Sequence, residues 1–106
     1  MINLTPHEIV IRTSRGDIVL PPSGIVARVA TAEVDAGTFG PEAIPVVRRT
    51  LGDVTGLPEA GVPCIVSAMV AAAVPGRASV FAPDTGSTAI RNESGHVVAV
   101  TRLVAA

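Results

Sequence analysis

The sequence predicts a β-rich (α+β) domain: a small, mostly antiparallel sheet or partly closed barrel of seven or eight short strands, with one short helix. Three features carry this expectation. Short β-branched runs recur along the chain, each closed by Gly, Pro, Asn or Asp in turn-forming combinations. One alanine-rich stretch, Ala68 to Val74, has clear helix propensity. The chain has 106 residues and carries no repeat, low-complexity tract or domain boundary. It therefore reads as a single domain, residues 1–106, of a size that buries about two-thirds of its unfolded surface.

The chain opens Asn3-Leu4-Thr5-Pro6-His7-Glu8. Thr5 and Glu8 have capping-box spacing, with proline at the first helical position. Ile9-Val10-Ile11 follows at once, however, and β-branched residues resist helix, so the reading is one tight turn leading into a strand. Arg12 to Asp17 is a hairpin loop and Ile18-Val19-Leu20 the returning strand. Pro21-Pro22-Ser23-Gly24 makes the next turn, where proline presets the first corner. Ile25 to Ala30 is a third strand containing Arg28, and Thr31 to Pro41, with two acidic residues, Gly37 and Gly40, reads as a surface connection. Ile44 to Leu51 is a fourth strand holding Arg48 and Arg49, and the two arginines must point to opposite faces. Turns at Gly52-Asp53 and Gly56 to Gly61 precede the central element.

That element is Pro63 to Gly86, the longest apolar stretch. Cys64-Ile65-Val66 is a buried strand by its β-branched character. Ser67 is the expected N-cap of a helix over Ala68–Val74, and Pro75-Gly76 ends it. A helix of about two turns is too short to hold alone in water, so packing must hold it. Ser79 to Ala82 is a further strand and Pro83-Asp84-Thr85-Gly86 a turn. The chain closes on a hairpin from Ala89-Ile90-Arg91 through Asn92 to Gly95 into one strand, His96 to Val104.

Composition narrows the function. Hydrophobic residues make up 48% of the chain and charged ones 16%, few charges for so small a surface, which points to an apolar patch used in self-association. A homo-oligomer is expected, most simply a dimer through the Ala68–Val74 helix or the Val97–Leu103 strand. All eight basic residues are arginine, as a GC-rich genome alone would produce, and the net charge of −1 attracts neither nucleic acid nor an anionic membrane. Two phenylalanines are the only aromatics, so base-stacking platforms are missing. No signal-like leader or membrane span is read, and the expected location is intracellular. Cys64, the lone cysteine, reads as a buried and inert thiol.

Catalytic signatures are weak. Ser67 sits at a strand-to-helix bend, but the glycines of a nucleophile elbow are replaced by Ile65 and Met69. Asp84-Thr85-Gly86 matches the aspartic-protease string, yet Ser87-Thr88 follows where an apolar strand is needed, so a turn capped by Asp84 is the plainer reading. His7 and His96 have no spacing for a metal. No metal, no cofactor and no catalytic residue is expected; the chain reads as a non-enzyme.

The remaining polar candidates suit an anion. Arg28 and Arg48 lie in predicted strands, where a charge faces solvent or meets a partner, and the guanidinium fork suits carboxylates and phosphates. Pairing with Glu33, Asp53 or Asp84 is the alternative. The helix start after Ser67 offers free amides, and Asn3, Thr5 and His7 either line a polar pocket or bond the opening turn.

The opening Asn3-Leu4-Thr5-Pro6-His7 resembles the start of a family of small, mostly uncharacterised proteins of phages, prophages and their bacterial hosts. Pro21-Pro22-Ser23-Gly24 with Ala27-Arg28, Pro45-Val46-Val47, Gly56-Leu57-Pro58, Ile65-Val66-Ser67 and Pro83 to Gly86 extend the resemblance over the chain. It implies a phage-type protein expressed in a bacterial cytoplasm and brings no known chemistry with it. By analogy with small phage proteins that sequester immune signals, the expected function is capture of a phosphorylated, nucleotide-like ligand. In that reading the ligand meets Asn3, Thr5, His7, Arg28, Arg48, Ser67 and Asp84, in a pocket shared between subunits. The alternative is a phage structural or accessory subunit, or one that binds a host protein, with no small-molecule ligand.

Overall fold

The computed structural model describes residues 1–106. The fold is β-rich, with ten strands and one short helix in small sheets and no closed barrel. Its centre is β6, Cys64–Ile65, which β1, Ile2–Asn3, flanks on one side and β7, Val80–Pro83, on the other, both parallel to it. The last strand, β10 at Leu103–Ala105, adds antiparallel to β7 and completes a mixed sheet in the order β1-β6-β7-β10. Apolar residues on both faces suit a central parallel strand, and Cys64, Ile65 and Val66 are each fully buried. The parallel β6–β7 pairing requires a crossover, which the helix α1, Ala68–Ala73, supplies.

α1 starts where the sequence places it. The Ser67 hydroxyl accepts from the Val70 amide at 3.3 Å, and the chain leaves the helix at Val74, before Pro75. Val70 and Ala71 are buried and join Leu4, Ala27, Cys64, Val66, Val80 and Ala82 in one core. Extra backbone bonds hold the amino-terminal segment to this core. The Leu4 amide donates to the Ile65 carbonyl at 2.8 Å and the Ala27 amide to the Leu4 carbonyl at 3.0 Å.

Two small hairpins lie beside the central sheet. β2, Ile9–Thr13, pairs with β3, Gly16–Leu20, as expected from the turn signal at Arg12 to Asp17. β8, Ile90–Arg91, pairs with β9, Val97–Ala99. The expected single strand from His96 to Val104 is in fact broken. Ala99 and Val100 are both buried although they are neighbours, which a regular strand with one wet face forbids. The chain turns there so that Val100 bonds β2: Arg12 donates to its carbonyl at 2.8 Å, and its amide donates to Val10 at 2.9 Å. β10 then begins afresh on the central sheet.

The largest departure from expectation is the segment read as a surface connection, Thr31 to Pro41. It is strand. β4, Arg28–Phe39, and β5, Ile44–Thr55, form a two-stranded hairpin with twelve residues in each strand. Glu33, Asp35 and Gly37 gave the segment a loop-like composition, but cross-strand pairing overrides propensity. Gly37 takes a φ of 91°, in the left-handed region, at the register shift between Asp35 and Thr38, which is where a β-bulge needs glycine. Gly52 and Asp53, expected in a turn, also lie within β5. Only the base of this hairpin, around Val29 and Val54, packs on the core. The ten steps from Val29 to Phe39 carry its tip about 30 Å away at the rise of a strand. The molecule accordingly measures 56 × 39 × 23 Å with a radius of gyration of 16.8 Å, against about 13 Å for a compact chain of this length.

No helix is long and apolar enough to cross a membrane.

Candidate functional site

Asn3, Thr5 and His7 are gathered, but around one another. The Asn3 amide nitrogen donates to the carbonyls of His7 at 2.8 Å and Leu20 at 2.9 Å. Its oxygen accepts from the Thr5 amide at 3.0 Å and the Thr5 hydroxyl at 2.7 Å. All four hydrogen-bonding positions of the amide are thereby used. Asn3 and Thr5 are buried, whereas the His7 ring is exposed and takes part only through its backbone. The opening motif is a clamp that ties β1, the first turn and the end of β3 together.

Ser67 is spent on its helix cap, and a helix of six residues has almost no interior behind it to strengthen its end. Asp84 lies at the wall of a cavity of about 390 Å³ between α1, β7 and β10. Ala68, Ala71, Ala72, Ala82 and Val104 line it, so the walls are mostly small and apolar. Asp84 accepts from Arg102 Nε at 2.5 Å and from the Gly86 amide at 3.0 Å. These donors hold its carboxyl below the ordinary aspartate value of 3.8, the Arg102 bond contributing most. Arg91 braces the same corner, donating to the carbonyls of Gly95 at 2.8 Å and Thr85 at 2.9 Å.

Arg28 begins β4 opposite Thr55, exposed and without an acidic partner. Arg48 lies out along β5, opposite Val34. Of the seven candidate ligand residues, only Asp84 lines the cavity, and the two arginines belong to the hairpin instead.

The hairpin carries the most unusual surface of the molecule. Cross-strand partners share a face and successive residues alternate. Thr31 with Leu51, Glu33 with Arg49, and Asp35 with Val47 therefore lie on one face. That face mixes charged and apolar groups: Arg49 donates to Glu33 at 2.6 Å, while Val47 is 53% exposed and Leu51 43%. The other face carries Ala32 and Thr50, Val34 and Arg48, then Val46, then Phe39 with Ile44 at the tip. Its large apolar groups are open to solvent: Phe39 is 72% exposed, Val34 57% and Ile44 51%. Arg48 lies on this face, as does Arg28 nearer the base, and no carboxylate pairs with either.

A free two-stranded ribbon is marginally stable in water, and exposed apolar faces at a free edge invite pairing. The area excess agrees. The chain exposes 6985 Å². A folded monomer of 10.7 kDa exposes about 5,500 Å², so the excess is about 1,500 Å². The ribbon face was the feature that composition concealed. Its signal was the alternation of Ala32 with Val34 and of Ile44 with Val46, interleaved with acids that sit on the opposite face.

No protein-family model, no curated protein and no solved structure matches this chain.

Proposed function

We propose that the protein is a non-enzymatic assembly subunit that forms a homo-oligomer through the apolar face of the β4–β5 arm, as a phage-type structural or accessory protein would. The excess exposed area carries this reading. About 1,500 Å² per chain exceeds the roughly 800 Å² per partner of a standard interface, and approaches what obligate dimers bury. The surface involved is largely apolar, as interface cores are. Placing Val34→Glu and Val46→Glu on this face tests the reading. The double variant should stay folded, because neither residue belongs to the core, and elute at monomer size where the wild type does not. An unchanged elution volume would refute the arm as the interface.

A second reading has one specific observation in its favour. Once the arm face is covered, Arg48 lies in an apolar interface with no carboxylate of its own, and a buried guanidinium needs an anion. A phosphorylated, nucleotide-like ligand held between subunits would supply it. Nucleotides and cyclic nucleotides at 100 times their dissociation constant should then add about 2.7 kcal/mol of stability, visible in a melting curve. They should also leave incubation chemically unchanged. Failure of every nucleotide to shift the melt, or turnover of any, removes this reading.

A further inference from the structure

We propose that Phe39 and Ile44 at the tip of one arm seat in the cavity between α1, β7 and β10 of a second copy, and that the two copies exchange arms reciprocally. The inference rests on the self-assembly reading above and names the receptor for the tip. Three observations meet in it. The first is shape: Phe39 is the bulkiest side chain at the tip and 72% exposed, while the cavity, about 390 Å³, is walled by Ala68, Ala71, Ala72 and Ala82. A hole lined by small side chains and a free aromatic knob are complementary, and an aromatic ring buries the most area per residue.

The second is position. The tip stands about 30 Å from its own core at strand rise, out of reach of its own cavity. α1 packs against both the base of the arm and β7, so the cavity that α1 lines adjoins the arm's root. Two arms laid antiparallel, apolar face to apolar face, bring each tip to the root of the other. That is where α1 and the cavity lie. The resulting contact is isologous and closes as a twofold dimer.

The third is charge. The tip turn carries a single charge, Glu42. Behind the cavity wall, Arg102 spends only its Nε on Asp84, which lines the cavity, leaving its terminal amines for an incoming carboxylate. Arginine can serve two carboxylates at once through its forked donors.

Mixing two single-site variants tests the seating directly. Ala43→Cys places a thiol beside the tip and Thr85→Cys one at the cavity wall; the native Cys64 is fully buried and silent. Mild oxidation of the mixture should link the two variants into a species of doubled mass, while neither variant alone should link. Ala72→Trp, which fills the exposed cavity mouth, should weaken assembly at least tenfold without lowering the melting temperature of the subunit. If the wild type assembles but the mixture does not link and Ala72→Trp assembles normally, the tip seats elsewhere: the inference falls and the assembly reading stands. A wild type that is monomeric overturns both.

Discussion

Removing the Asn3 side chain should cost the fold far more than an ordinary polar-to-alanine change. In Asn3→Ala the Thr5 amide, which is buried and bonds only the Asn3 oxygen, loses its partner, and the carbonyls of His7 and Leu20 each lose a donor. The Thr5 hydroxyl is less affected, because its one proton can turn to the His7 carbonyl, 3.0 Å away. An orphaned buried donor costs about 1–3 kcal/mol, and the two exchanged carbonyl bonds about 0.5–1.5 kcal/mol each, so the loss should be about 3 kcal/mol. That is a large share of the 5–15 kcal/mol that such domains possess. Urea unfolding at fixed protein concentration reads it as a lower midpoint with an unchanged slope. Asn3→Asp is the sharper companion, since it puts a carboxylate oxygen against two carbonyls and should do at least as much harm. A loss below about 0.5 kcal/mol for Asn3→Ala would show that the clamp does not hold the amino terminus.

Three further outcomes follow from local geometry. Ser67→Ala removes the acceptor for the Val70 amide and should cost about 1 kcal/mol, checked by the same unfolding curves. The carboxyl of Asp84 is held below its usual value in the fold, so it adds stability above pH 3.8 that disappears as pH falls through its lowered folded value; Asp84→Asn should flatten that part of the acid-unfolding profile, and an unchanged profile would discount the Arg102 bond. Burial pushes the Cys64 thiol up and shields it, so a thiol reagent near neutral pH should label it only at the rate of unfolding; immediate labelling of the native protein would contradict its place in the core.

The parts of the fold legible in the sequence were those decided by neighbouring residues. The β2–β3 hairpin, the Ser67 cap, the stop at Pro75 and the turn at Asp84 each rest on interactions spanning a few positions. The arm was not legible, because its strand character comes from partners many residues away. Glu33 becomes a good strand residue only opposite Arg49, and Asp35 bonds the Gly37 amide at the bulge. The break at Val100 was hidden for a related reason. A run of β-branched residues describes one long strand and two short ones equally well until β2 claims the Val100 backbone. In the candidate site, two of the carboxylates named as arginine partners, Glu33 and Asp84, do form ion pairs, but with Arg49 and Arg102, and Arg28 and Arg48 have no acidic partner. Convergence was not readable: polar residues such as Asn3 and Thr5 look alike in sequence whether they face a ligand or one another.

The central claim is that the arm's apolar face is covered by another copy of the chain, and the molar mass in solution tests it most directly. Light scattering of the wild type at tens of micromolar should give at least twice 10.7 kDa, and the Val34→Glu, Val46→Glu variant should give 10.7 kDa with its cooperative melt intact. A wild-type mass of 10.7 kDa at that concentration would contradict the account.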